Sequence, residues 1–331
     1  MTNNMTTFAN ILVMNWDTHN SSAIDKAIAL AQNNNAALTI VEIVDTQEDA
    51  QIGQIKPLYS CGLANLGGHQ HLHGGRDFLV KLQNSGLRAK CQIMVGISYR
   101  KILEVVRENH HDLIIVGVGS PYDYMGFATS TLMNLVRKSA VPVWIVKSPS
   151  GKQGRRGILA AVDPAPGPGP FAESENSLNK QIMNIANALA VSGTRKIEVV
   201  HCWMQPMEDR LRNSTRSTEE DFRKALHQTR RLHKKWLSLL LEQTKTNNLT
   251  CKMHLLKGQP QKLVPDFARK HQIDTVIMGN VSRAGLNGLF IGNTAEKILC
   301  HSDISLLVVK PIAFLETPEL RLTPSETVCA L

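Results

Sequence analysis

The chain has 331 residues, 43% of them hydrophobic and 20% charged, which excludes a disordered polymer and makes two ordinary domains the expectation from length. Its N-terminus, MTNNMTTFANILVMNW, has no basic stretch leading into a long apolar one, and nowhere do about 18 apolar residues run together, so a cytoplasmic protein without a membrane span is expected. The six cysteines (Cys61, Cys91, Cys202, Cys251, Cys300, Cys329) are scattered through the chain with no CxxC pair, which fits reduced thiols that mostly fill core positions. The net charge of +9 is unevenly placed: residues 1–150 carry 12 Lys and Arg against 11 Asp and Glu, leaving 25 against 17 for the remainder.

In chain order, short apolar runs alternate with longer amphipathic stretches. Strands are predicted at 11–16, 38–44, 89–95, 113–117 and 142–147. Within the first of these halves lies GGHQHLHGG at 67–75, which sets His69, His71 and His73 at alternate positions. In extended chain three such imidazoles share a face and suit a transition metal. No carboxylate lies inside the run, however, and a solvent-facing loop without resident metal is the expectation. SPSGKQGRR at 148–156 is polar, with Pro and Gly, and reads as a linker. Beyond it, strands are predicted at 157–163, 196–202, 250–256, 274–279 and 304–310, and helices at 174–191, 217–246, 260–271 and 293–301. Arg210 to Lys235 holds nine basic and three acidic residues. With Phe222 its only aromatic and no nucleic-acid motif, a solvated helix is expected there; an acidic protein partner or nucleic-acid phosphates are the weaker alternatives.

The two halves repeat one another. NILVMNWD (10–17) corresponds to GILAAVD (157–163), HDLIIVGVGS (111–120) to IDTVIMGNVS (273–282), and VPVWIVK (141–147) to ISLLVVK (304–310). This divides the chain into a first domain 1–147, the linker 148–156, a second domain 157–312 and a tail 313–331. Strands rich in Val, Ile and Leu, alternating with helices, imply parallel βαβ crossovers. The fold class expected is therefore α/β: two tandem doubly wound five-stranded parallel sheets, each of order 3-2-1-4-5. In such a sheet a ligand sits beyond the carboxyl ends of strands 1 and 4, where the winding reverses. In the second half that places Asp163 and Gly279 at the crevice.

The stretch DTVIMGNVSRAGLNGLFIGNTAEKIL (274–299) carries the chemistry. Gly279 ends a strand, a loop of small residues with Ser282 and Arg283 follows, and Gly292, Asn293 and Thr294 open a helix. Unpaired N–H groups at a helix start, the Thr294 hydroxyl and the Arg283 guanidinium all suit phosphate, and Asp163 suits ribose hydroxyls. The competing reading is strand-end packing followed by an ordinary helix cap. The stretch is neither a P-loop, lacking Gly-Lys-Ser/Thr, nor a dinucleotide fingerprint, since it follows the fourth strand.

The pattern Gly279-x2-Ser282-x9-Gly292-Asn293 resembles the universal stress protein family, whose nucleotide-binding members carry Gly-x2-Gly-x9-Gly-(Ser/Thr) after the fourth strand. Serine replaces the second glycine and asparagine the final Ser/Thr, with Thr294 next in line. The resemblance runs through both halves and implies a stress-response protein whose two domains pair as single-domain relatives do in dimers. It further implies ATP or another adenine nucleotide in the second domain only, with Asp163 at ribose or base and Gly279, Arg283, Gly292, Asn293 and Thr294 at phosphates. In the first half, Thr129-Ser130-Thr131 stand where Gly292-Asn293-Thr294 do. Tyr122, Tyr124, Met125 and Phe127 crowd the loop before them, so no nucleotide is expected there, and an apolar ligand is the alternative. No Ser-His-Asp or Cys-His set stands at motif spacing, so a non-enzymatic protein is expected, with slow ATP hydrolysis and homodimerisation left open.

Overall fold

A computed structural model describes residues 8–15, 21–44, 82, 85–95, 99–118, 127–147, 157–166, 172–193, 196–212, 218–244, 251–279 and 293–310. In the first half these form β1 (Asn10–Asn15), α1 (Ser21–Asn34), β2 (Ala37–Val44), β3 (Ala89–Val95), α2 (Tyr99–Glu108), β4 (Leu113–Val118), α3 (Phe127–Lys138) and β5 (Val143–Lys147). The second half contains β6 (Gly157–Ala161), α4 (Ala172–Gly193), β7 (Ile197–Trp203), α5 (Glu208–Arg212), α6 (Glu219–Gln243), β8 (Cys251–Lys257), α7 (Pro260–Lys270), β9 (Ile273–Gly279), α8 (Asn293–His301) and β10 (Ser305–Val309).

The strands make one sheet of order β3-β2-β1-β4-β5-β10-β9-β6-β7-β8. Each half thus has the expected 3-2-1-4-5 order with parallel neighbours, as in Ile11↔Leu113 of β1 and β4 and Ala160↔Ile277 of β6 and β9. Where the halves meet, β5 and β10 run antiparallel, with Trp144 opposite Leu307. Because side chains alternate along a strand, each strand feeds two cores. Ile11, Val13, Leu113, Ile115, Trp144 and Leu307 pack beneath α1, α4 and α6. Leu12, Met14, Ile114, Val116, Ile145 and Leu306 pack beneath α2, α3, α7 and α8. Every residue of β4, β5 and β10 is buried, and each Val, Leu or Ile so placed gains roughly 1.5–3 kcal/mol from leaving water.

The ends of the two joint strands are tied crosswise. The Lys147 ammonium, at the end of β5, donates to the carbonyls of Ile298 (3.3 Å), Leu299 (2.6 Å) and Ser302 at the C-terminus of α8 in the other half. Lys310, just past β10, donates in return to the Arg137 carbonyl at the C-terminus of α3. A helix C-terminus presents unpaired carbonyls and a negative dipole end, so a cation is the fitting cap. A further cross-half tie joins Lys26 of α1 to Asp274 of β9 at 2.9 and 3.0 Å, with the ammonium 5.6 Å from the Trp144 ring centre. Burial holds both capping lysines well below the ordinary 10.5, at about 8.

Lys147→Met leaves three carbonyls without their donor and is expected to lower stability by about 2–3 kcal/mol in urea unfolding. The folded lysine, with its pKa near 8 against 10.5 when unfolded, releases its proton first as pH rises. Its contribution to stability is therefore fully present above the unfolded value and lost as pH falls through the folded one. The gap between wild type and Lys147→Met should widen from pH 8 to pH 10; a constant gap would contradict the assignment.

Candidate functional site

The register of β6 on β9, with Ala161 beside Met278, brings the two strand ends side by side. Asp163 lies two residues beyond β6 and Gly279 closes β9, so the reversal of winding falls between them. Asp163 is fixed through its backbone by Asn179, a residue of α4 that is only 5% exposed. The carboxamide oxygen of Asn179 accepts the Asp163 N–H at 3.0 Å, and its NH2 donates to the Asp163 carbonyl at 2.8 Å. With the main chain clamped at both polar groups, the carboxylate projects outward, its side chain 47% exposed.

Beneath it lies a histidine pair. Period-two alternation from Ile197 and Val199 turns His201 and Trp203 of β7 toward α6, and His201 is 1% exposed. Nδ1 of His201 is 3.2 Å from the Val162 carbonyl and 3.7 Å from a carboxylate oxygen of Asp163. A carbonyl can only accept, so Nδ1 carries the proton, and in the neutral pair Nε2 accepts from Nδ1 of His233 at 2.7 Å. His233 also stacks on His201 and meets the edge of Trp236, with ring centres 5.0 and 4.9 Å apart. Neighbouring Cys202 has its thiol pushed up to about 12 by burial and then by the Asp163 charge, which keeps it protonated and unreactive.

Above Asp163 a cavity of about 220 Å³ opens between α4 and α6. It is lined by Asp163 and the following Pro164, Ala165 and Pro166, by Asn176 and Asn179 of α4, and by Trp236 and Gln243 with neighbouring leucines of α6. Among the described residues that line it, Asp163 is the one charged group.

Gly279 has a packing explanation. A Cβ there would lie 2.6 Å from a methyl of Leu178, so the bare backbone lets α4 seat against the end of β9. Asn293 is the first residue of α8, and Thr294, half-buried, is the second, which places the helix start where the sequence expected it. Ser282, Arg283 and Gly292 lie outside the described residues, as do His69, His71 and His73. Among the described residues no cluster of three metal-ligating side chains occurs. The first half differs: α3 starts at Phe127, so Thr129–Thr131 lie within a helix already begun, and Thr131 is buried. Sequence reasoning missed Asn176, Asn179, His201, His233 and Trp236. The alternation of β7 held a signal for His201, whereas the others needed the packing of α4 and α6.

Two parallel 3-2-1-4-5 units sharing one sheet, with a carboxylate and a helix start at the crevice of the second, define a tandem doubly wound α/β protein. The sequence profile of the universal stress protein family matches residues 10–147 and 158–310, and the chain belongs to that family, as a tandem member. It is 28% identical over 223 residues to universal stress protein E of Escherichia coli (strain K12), covering 66% of this chain and 67% of that one. The universal stress protein E homolog of Haemophilus influenzae is 22% identical over 245 residues, covering 73% and 76%. A universal stress protein from Pseudomonas aeruginosa UCBPP-PA14 has the same fold, with a TM-score of 0.63 at 20% identity over 94% of this chain and 96% of that one. No described helix is long and apolar enough to cross a membrane.

If Leu178 is what excludes a side chain at 279, Gly279→Val should cost about 1–3 kcal/mol and Leu178→Ala in the same chain should recover part of it. Urea unfolding of both single variants and the double variant decides; strictly additive costs would show that the glycine answers to something else.

Proposed function

We propose that this stress-response protein binds an adenine nucleotide in the crevice of its second half and signals through a change of shape or surface, without forming a product. The observation that carries this reading is Asp163: a clamped, outward carboxylate at the point where the winding reverses, beside both the end of β9 and a cavity. Such a group accepts hydrogen bonds from ribose hydroxyls. The phosphates would lie toward the backbone after Gly279 and the start of α8, where Asn293 and Thr294 contribute N–H donors and Ser282, Arg283 and Gly292 complete the set.

The chemistry beside Asp163 supports binding over turnover. His201 is turned inward with its Nε2 engaged by His233, and Cys202 keeps its proton, so neither serves as base or nucleophile. A second reading, a scaffold for an acidic partner, draws on α6, where Arg230, Arg231, Lys234 and Lys235 are exposed with no acidic partner among the described residues. Both readings are compatible with a protein confined to the cytoplasm.

Native mass spectrometry of the gently purified protein with added ATP tests the proposal. Wild type should carry an adenine-nucleotide mass, Asp163→Ala should bind roughly tenfold more weakly by calorimetry, and Gly292→Val should lose it. Absence of any nucleotide on wild type sinks the sensor and favours the scaffold; magnesium-dependent phosphate release abolished by Asp163→Ala would make the protein a slow ATPase instead.

A further inference from the structure

We infer that the second part of α6 binds the phosphate backbone of a double-stranded nucleic acid through Arg230, Arg231, Lys234 and Lys235, without reading its sequence. The inference rests on the second reading above, whose acidic partner it names, and owes nothing to the nucleotide crevice.

Charge is arranged differently in the two parts of this helix. In its first turns α6 compensates itself, Arg223 pairing with Glu219 and Lys224 with Glu220 at a spacing of four residues. Further along, the same spacing brings like charges together, Arg230 with Lys234 and Arg231 with Lys235, and these repel along the helix surface. At about 100° per residue the four cations fall within roughly 140° of the circumference. All four are exposed, with no carboxylate paired to them among the described residues. Phe222, Leu237 and Leu240 are buried on the other side, and a capping box of Thr218 and Asp221 fixes the start of the helix. The repulsion is thus held in place by the fold, and an external polyanion relieves it.

The make-up of this face selects among polyanions. A protein interface has an aromatic or apolar centre depleted of charge, an anionic membrane takes up apolar side chains beside the basic ones, and a single nucleic-acid strand stacks its bases on aromatic rings. The face of the four cations has none of these among the described residues. Phe222 is buried, Trp236 lines the cavity with its ring against His233, and the exposed Leu232 and Leu239 fall outside the arc. A duplex asks only for cations, since its bases are turned inward and it carries one negative charge per roughly 1.7 Å of axis. At 25 residues α6 is about 37 Å long, and its cations recur about 5–6 Å apart along each row, so several phosphates are met at once. Contacts of this kind position a protein on a duplex and carry no sequence information. The surrounding field acts in the same sense, because residues 151–331 hold 25 Lys and Arg against 17 Asp and Glu.

Fluorescence anisotropy of the full chain with labelled DNA duplexes of about 20 base pairs, in two unrelated sequences and over a range of salt, tests this. Four phosphate contacts predict equal affinity for the two sequences and a loss of roughly 10²-fold in affinity between about 50 and 200 mM salt. Combining Arg231→Gln with Lys235→Gln should weaken both duplexes alike and lower the salt slope by about 2. Combining Arg223→Gln with Lys224→Gln, whose cations are already paired within the helix, should leave binding nearly unchanged. All four side chains are exposed, so both variants keep the fold. A preference for one sequence, or a salt slope that the Arg231 and Lys235 substitutions leave untouched, overturns the inference. So does capture of phosphatidylserine vesicles, or of poly-glutamate, with no duplex bound; poly-glutamate held through Arg231 and Lys235 would leave the second reading standing, and binding of none of the three would overturn that reading as well.

Discussion

Everything in the molecule is arranged around the antiparallel contact of β5 with β10. Each half alone would end in a fully buried-type strand with one row of peptide groups unpaired and an apolar face on either side, an edge that invites aggregation. Joining the two edges pairs those peptide groups and extends both cores across the joint, with Trp144 opposite Leu307. The lysines ending the two strands add a reciprocal constraint, since each caps a helix that belongs to the other half. Hydrocarbon burial supplies most of the attraction, and the caps add polar ties across the joint that a displaced register would break.

That joint leaves strands 1 and 4 of each half away from the outer edges, so the crevice of the second half is framed by rigid, doubly covered strands. Rigidity is carried outward by buried amides and imidazoles. Asn179 holds the main chain of Asp163, and His201 links that loop to α6 through His233. The Asp163 loop and α6 are thereby joined through two imidazoles.

The two halves share winding and strand register yet have diverged at the crevice. In the second, α8 begins at Asn293, directly after Gly292; in the first, α3 begins at Phe127, two residues ahead of Thr129. A helix that starts earlier spends its free N–H groups at a different place, so an anion site built on them cannot be conserved in position.

Much of this was legible from residues alone. Strand order followed from repeats and connectivity, because parallel crossovers are right-handed and few topologies satisfy ten short apolar runs. Asp163 and the start of α8 were located by the same logic, since both are fixed by where a strand or helix ends. What a sequence could not show is which side chains from distant segments converge. Asn176 on α4 and Gln243 at the end of α6 are separated by β7 and α5, and only the packing of α4 beside α6 makes one cavity of them. The role of Gly279 was likewise decided in three dimensions: glycine there fits a phosphate cradle on paper, and the methyl of Leu178 at its Cα gives it a packing reason. The sequence by itself determined the periodicities, and hence the elements and their winding, because these depend on near neighbours; the tertiary structure alone decided the joint, the lysine caps and the walls of the cavity, because those depend on contacts between residues far apart in the chain.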